Sequence, residues 1–169
     1  MTKTRRFVTL AVLVSLGMIL SYIEALLPSF VPVPGVKLGI ANTVTVFLLY
    51  MLGIPEAAIV SFLRVLLSSL LFGNTVSLLY SLVGAFLSFA AMVAARWVLK
   101  LSSVGVSALG GVFHNLAQTV LAAIIFKNLA VFYYFPILII SGVIAGVVIG
   151  TAAGIIVKRL EKILRLRRK

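Results

Sequence analysis

The sequence predicts an all-α integral membrane protein, a bundle of six transmembrane helices that forms a single domain over residues 1–169. Of the 169 residues, 63% are hydrophobic and only 11% are charged. The apolar residues occur in runs close to or above the ~20 residues that cross a hydrocarbon core of ~30 Å. Stretches such as LAVLVSLGMIL are apolar on every side, whereas a surface helix of a soluble protein keeps one polar face.

Six apolar spans follow one another, separated by short connectors that contain Pro, Gly, Asn or Ser. They cover about 7–27, 39–53, 55–72, 76–98, 106–126 and 130–157. The first span follows the basic stretch KTRRF, and basic residues before an apolar run also begin secretory signal peptides. Its run is too long for a signal peptide and no cleavage-site pattern follows, so we expect the first span to remain in the protein.

The positions of the positive charges predict the orientation. The net charge is +12, and the basic residues collect at the ends of the spans. With both termini in the cytoplasm, KTRRF, Arg96, Lys100 and the C-terminal KRLEKILRLRRK lie inside, and Lys37 and Lys127 lie outside. An excess of Lys and Arg marks the cytoplasmic side and attracts anionic lipid. We therefore expect a multi-pass protein of a bacterial-type cytoplasmic membrane with anionic lipid, and no nucleic acid, as a partner of this face.

The composition excludes several kinds of chemistry. The chain has no cysteine and no aspartate, and its acidic residues are Glu24, Glu56 and Glu161. Disulfides, thiolate metal sites and iron–sulfur clusters are therefore absent, and one histidine is too few for a zinc site. No nucleophile–base pair or carboxylate cluster is present. We expect no metal, no cofactor and no catalytic residue.

The second span is short, which draws attention to the stretch VPVPGVKLGIAN before and at its start. A helix over 39–53 covers about 22 Å at 1.5 Å per residue, so residues 28–38 are expected to dip into the bilayer. Short or Gly/Pro-interrupted segments indicate binding sites in transporters, and a helix N-terminus favours an anion. Lys37 and Asn42 are therefore candidate ligand-binding residues. Lys37 either faces a cavity or is a solvated loop residue.

Glu24 and Arg64 are charged residues inside predicted spans. On helix geometry they lie about 5 Å and about 12 Å below the outer boundary, and Asn42 is expected above Arg64. Charged residues in a membrane face the bundle interior or water. Two interpretations follow and can both hold: a structural ion pair between Glu24 and Arg64, or a ligand pocket lined by one or both.

The fifth span contains GGVFHNLAQTV, with His114, Asn115 and Gln118 within five residues. A single membrane histidine is often only hydrogen-bonded to a neighbouring helix. Placing three polar side chains of one apolar helix in a membrane costs free energy unless they have a function. Their presence therefore favours the interpretation that they line the pocket.

The sixth span carries a glycine at every fourth position, which lets another helix approach closely. This glycine ridge packs either inside the monomer or against another subunit; it consists of Gly142, Gly146, Gly150 and Gly154.

The segments SYIEALLP, PGVKLGIAN, SFLRVLLSSLLFG, VGVSALGGVFHNLAQ and FPILIISGVIAGVVIG together resemble the Gx transporter family, also labelled heptaprenyl diphosphate synthase component I. The resemblance extends over about residues 8–156. The family is similar in size and layout to the substrate-binding S components of energy-coupling factor transporters, six-helix bundles that bind small molecules from outside. This implies a small-molecule ligand, with a coupling membrane subunit and an ATPase as partners.

The enzymatic part of that label can be tested against the residues. Prenyl diphosphate synthases hold Mg²⁺ with aspartate-rich motifs, because hard cations need clustered carboxylates, and this chain has no aspartate. The family is also associated with quinone-linked and flavin-linked electron transfer, which implies a flavin-, quinone- or prenyl-related ligand. The alternative function is a non-catalytic membrane subunit of a polyprenyl diphosphate synthase or of such an electron-transfer complex.

Overall fold

The structure is a computed structural model that describes residues 2–26 and 39–166, with side chains as far as residue 163. Nearly all of these residues are helical, and the two ranges contain no β-strand. The helices are α1 (Lys3–Leu26), α2 (Asn42–Met51), α3 (Ile54–Phe72), α4 (Thr75–Trp97), α5 (Ser103–Phe126) and α6 (Phe135–Leu166), with a 3₁₀ helix (Leu129–Tyr134) before α6. Predicted site residue Lys37 lies outside the described residues.

Five of the described helical segments are long and apolar enough to cross a membrane. They are α1, α3, α4, α5 and the segment Leu129–Ile163, which joins the 3₁₀ helix to α6. The chain is therefore a multi-pass membrane protein, as its composition predicts.

The second predicted span, 39–53, is helical only over Asn42–Met51. Ten residues rise about 15 Å, which is half of a hydrocarbon core. The backbone explains both limits, because Gly39 and Gly53 have φ angles of +80° and +117°, which side-chain-bearing residues rarely adopt. Pro55 then occupies the first turn of α3, where its missing N–H costs nothing.

Helix α2 lies inside the bundle. Six of its ten residues are buried and the other four are partly buried; the buried ones are Asn42, Val44, Thr45, Val46, Leu48 and Leu49. It packs against α1, α3, α5 and α6. A helix that ends within the membrane is tolerated when protein surrounds it, because the polar backbone groups at its end are then shielded from lipid.

Contacts between helix ends show which ends of the bundle coincide. Arg6 of α1 forms an ion pair with Glu56 in the first turn of α3, so these two helices run parallel. The guanidinium of Arg96 stacks 3.8 Å from the ring centre of Tyr50, which brings the ends of α4 and α2 together. We call this the basic end, because most described basic residues lie at it: Lys3, Arg5, Arg6, Arg96, Lys100, Lys158, Arg159 and Lys162.

The glycine ridge of α6 packs against α5 of the same chain. A Cβ atom at Gly146 would lie 2.5 Å from Cα of Ala108, and one at Gly150 would lie 2.6 Å from Cα of Val104. Real Cβ atoms essentially never approach that closely, so only glycine permits this helix spacing. The ridge side of α6 is covered by α5 and does not face the outside of the bundle.

Candidate functional site

The candidate site begins at the N-terminus of α2. Asn42, the first residue of this helix, accepts a hydrogen bond at Oδ1 from Nη2 of Arg64 over 3.1 Å. Arg64 lies ten residues after Ile54, which is about 15 Å along α3 from the basic end. The tip of α2 therefore lies about halfway through the bundle. Asn42 is level with the guanidinium of Arg64, which also reaches Ser21, one helical turn beyond Gly17 at its stem.

A small cavity surrounds this helix tip, with about 20 Å³ of space for the centre of a water molecule. Its walls come from α1, α3, α4 and α5 as well as from the tip of α2. The residues that line it, which we call the polar cavity, are Ser21, Glu24, Gly39, Asn42, Arg64, Val65, Ser68, Ser81 and His114. Eight of these nine residues are not hydrophobic.

Arg64 is buried, with 6% of its surface exposed. In addition to Asn42, its guanidinium donates through Nη1 to Oγ of Ser21 over 3.1 Å. Its stem crosses α1 at Gly17, where a Cβ atom would lie 2.6 Å from Cδ of Arg64. Gly17 is therefore the position that lets the side chain reach the cavity, and two helices hold the guanidinium in place.

Glu24 supplies the negative charge of the cavity. It is buried, and its carboxylate accepts a hydrogen bond from the backbone N–H of Gly39, just before α2. It also interacts electrostatically with Arg64. A carboxylate near a helix N-terminus is favoured by the free N–H groups and by the helix dipole. The two charged residues and the tip of α2 therefore belong to one arrangement.

His114 reaches the cavity from α5, and its ring lies against α4 at Gly84. A Cβ atom at Gly84 would lie 2.7 Å from Cε1 and 2.9 Å from Nδ1 of the imidazole. The absence of a side chain at Gly84 therefore gives the ring its place at the cavity wall.

We expect Gly84→Ala to move the His114 ring and to reduce about 3- to 10-fold the amount of any small molecule that stays with the protein through purification, while the helical content stays the same. The added methyl group meets a ring with few alternative rotamers, so the imidazole is pushed toward the cavity. Ligand retained after purification, measured by mass spectrometry, checks this. Ala85→Gly changes a neighbouring buried position on α4 and serves as the control. Equal retention in Gly84→Ala and wild type would contradict the contact.

Two other predicted site residues on α5 do not line the cavity. The side-chain amide of Asn115 donates to the carbonyl oxygen of Leu138 on α6 over 2.7 Å, so it joins α5 to α6. Gln118 has no exposed surface and lies within the bundle. The structure thus brings Glu24, Asn42, Arg64 and His114 together.

Sequence reasoning did not select the serines of the cavity wall as site residues. Ser21 and Ser68 had a signal, since they lie three residues before Glu24 and four after Arg64, on the same helical faces. For Ser81 the sequence signal is weak: it lies three residues before Gly84 in an apolar helix. No group of three metal-ligating side chains occurs in residues 2–26 and 39–166.

These features define a class of protein: a multi-pass membrane protein whose helices enclose a polar cavity at the tip of a half-length helix. The chain belongs to the family described as heptaprenyl diphosphate synthase component I, which matches residues 13–156. This match confirms the family that the sequence motifs indicated. No curated protein and no solved structure matches the chain.

Proposed function

We propose that this protein is the ligand-binding membrane subunit of a small-molecule transporter, and that the polar cavity receives the ligand. The observation that carries the proposal is a buried arginine and a buried glutamate beside the tip of a half-length helix. Charged residues at this depth cost several kcal/mol unless they face a cavity or a partner, and they mark substrate pathways. Helices whose N-termini lie inside the bundle are a common feature of transporter binding sites.

The chemistry of the cavity supports a ligand with a polar head. Arg64 and the N-terminus of α2 offer positive charge and hydrogen-bond donors, while Glu24 and Asn42 offer acceptors. A flavin-, quinone- or prenyl-related molecule meets this description, with its apolar part toward the helices. We include Lys37 in the proposed site, because only Leu38 separates it from Gly39 in the sequence.

We further propose six spans, with α2 and the residues before it as the second, and both termini in the cytoplasm. The basic end then faces anionic lipid at the inner surface of a bacterial cytoplasmic membrane, as the positive-inside rule predicts. The cavity opens away from that end, and a coupling membrane subunit and an ATPase supply the energy for transport.

The experiment that tests the proposal is mass spectrometry of small molecules that remain with the purified protein. Wild type is expected to retain one molecule, and Arg64→Gln to retain about 10- to 100-fold less, because a charged hydrogen-bond donor contributes about 1.5–3 kcal/mol. Arg96→Gln is the matched control, since Arg96 stacks on Tyr50 at the basic end and lies outside the cavity. Equal retention by Arg64→Gln and wild type would count against the site.

A second candidate function is that of a non-catalytic membrane subunit of a polyprenyl diphosphate synthase or of a quinone- or flavin-linked electron-transfer complex. The family description, which names one component of a synthase, favours it. The basic residues at the C-terminal end of α6, Lys158, Arg159 and Lys162, would then bind a cytoplasmic partner. Stoichiometric co-purification with a soluble synthase or redox protein, and not with an ATPase, would select this function.

A further inference from the structure

The guanidinium of Arg64 is only partly used by the protein. A guanidinium has five N–H donors. Nη1 and Nη2 each donate one hydrogen bond, and both acceptors, Ser21 and Asn42, are neutral. The Nε atom is completely buried and has no acceptor within hydrogen-bonding distance in the part of the chain that the structure describes. A strong donor thus remains without an acceptor, beneath the surface of a residue that lines the polar cavity.

The geometry of this donor restricts what can satisfy it. Nε and a neighbouring Nη form one edge of a planar group, and the two N–H bonds along such an edge match two oxygens of one carboxylate or phosphate. The edge is also held in place, since Gly17 on α1 contacts the stem and α1 and α2 accept from the outer nitrogens. A preorganised donor pair loses little conformational freedom when it binds.

We propose that the ligand carries one acidic group, a carboxylate or a phosphate, which the Nε edge of Arg64 binds through two parallel hydrogen bonds. This inference rests on the proposed function and specifies the chemical class of its ligand. Ser21 and Asn42 are neutral acceptors that orient the guanidinium, and Glu24 interacts with its charge, while no described residue accepts a hydrogen bond from Nε.

The second charge in the cavity limits the ligand further. The carboxylate of Glu24 lines the same cavity and is fixed by the N–H of Gly39. Like charges close together in a poorly hydrated site are strongly unfavourable. A ligand with a second acidic group near the first would meet Glu24, so the cavity selects molecules with a single acidic group over diphosphates.

The first test compares three small probes on the wild-type protein in detergent, with thermal unfolding as the readout. The probes are benzoate, phenyl phosphate and neutral benzamide, which share one ring and differ in the head group. We expect benzoate or phenyl phosphate to raise the unfolding temperature and benzamide to leave it unchanged. The anion that gives the larger shift shows whether the site prefers a carboxylate or a phosphate. A shift with benzamide as large as that with both anions would overturn the inference.

The second test separates the donor edge from the charge. Arg64→Lys keeps the positive charge and removes the planar edge, so we expect about tenfold weaker binding of the effective anion. Arg96→Lys makes the same change at the basic end and is expected to bind like wild type. Wild-type affinity in Arg64→Lys would overturn the two-bond geometry. If Arg64→Lys does not fold, the probe comparison on wild type still decides whether an acidic group is recognised.

The two proposals fail in different ways. If wild type retains a small molecule that has no acidic group, the inference about Arg64 is wrong and the proposed binding function stands. If wild type retains no molecule and responds to none of the three probes, the proposed function is wrong, and the inference with it.

Discussion

Gly146→Ala is expected to lower the thermal unfolding temperature by about 2–12 °C. The new methyl group would lie 2.5 Å from Cα of Ala108 and 2.7 Å from the carbonyl oxygen of Ser107, and both are backbone atoms of α5. Because backbone cannot turn aside as a side chain can, α5 and α6 must separate along their contact. Overpacking of this kind costs about 1–3 kcal/mol, and about 2–4 °C per kcal/mol applies to a chain of this size.

Circular dichroism at increasing temperature in detergent measures this effect, and two positions on α6 provide controls. A methyl group at Gly154 would meet the hydroxyl oxygen of Ser103, a side-chain atom that can rotate away, so Gly154→Ala should cost much less. Val148 is exposed on the lipid-facing side, and Val148→Ala should change the unfolding temperature little. Equal stability of all three variants would contradict the close α5–α6 contact.

Gly17→Val is expected to abolish ligand retention although it changes no polar group. The valine side chain would occupy the space that the stem of Arg64 now fills, since Cδ and Cγ lie 2.6 Å and 3.1 Å from the position of a Cβ atom. Arg64 would have to leave Ser21 and Asn42, and its guanidinium would no longer point into the cavity. We expect a loss of at least the 10- to 100-fold that Arg64→Gln causes, measured by the same mass spectrometry.

The control for this variant is Leu16→Val, which places valine at the neighbouring, exposed position of α1. It should retain the ligand as wild type does. Retention by Gly17→Val at the wild-type level, with the fold intact, would show that the position of Arg64 does not depend on Gly17 and would weaken the case for a preorganised guanidinium.

Hydropathy was sufficient to predict the long helices, because an apolar run long enough to cross the bilayer as a helix can form few other structures. The length of α2 was not predictable in this way. Its limits depend on the positive φ angles of Gly39 and Gly53, and an apolar run contains no information about them.

The candidate site, too, could be predicted from the sequence only in part. Helical periodicity correctly places residues on a face, but it does not say which neighbouring helix that face meets. His114 and Gln118 lie four residues apart, yet His114 lines the cavity and Gln118 does not. Asn115 bonds to a backbone carbonyl of α6, and that partner depends on the close contact of α5 with α6. The glycine spacing indicated a close helix contact without identifying the helix.

The shortness of α2 has a consequence for how the protein is assembled in the membrane. A helix of ten residues cannot cross the hydrocarbon layer alone, so it has no stable inserted state of its own. The long helices can insert separately and then associate, whereas α2 becomes stable only when its neighbours shield its ends from lipid. Gly39 and Asn42 take their places together with α2, so the polar cavity is completed at the same step as the bundle. A partly assembled chain therefore lacks the site that we propose for the ligand.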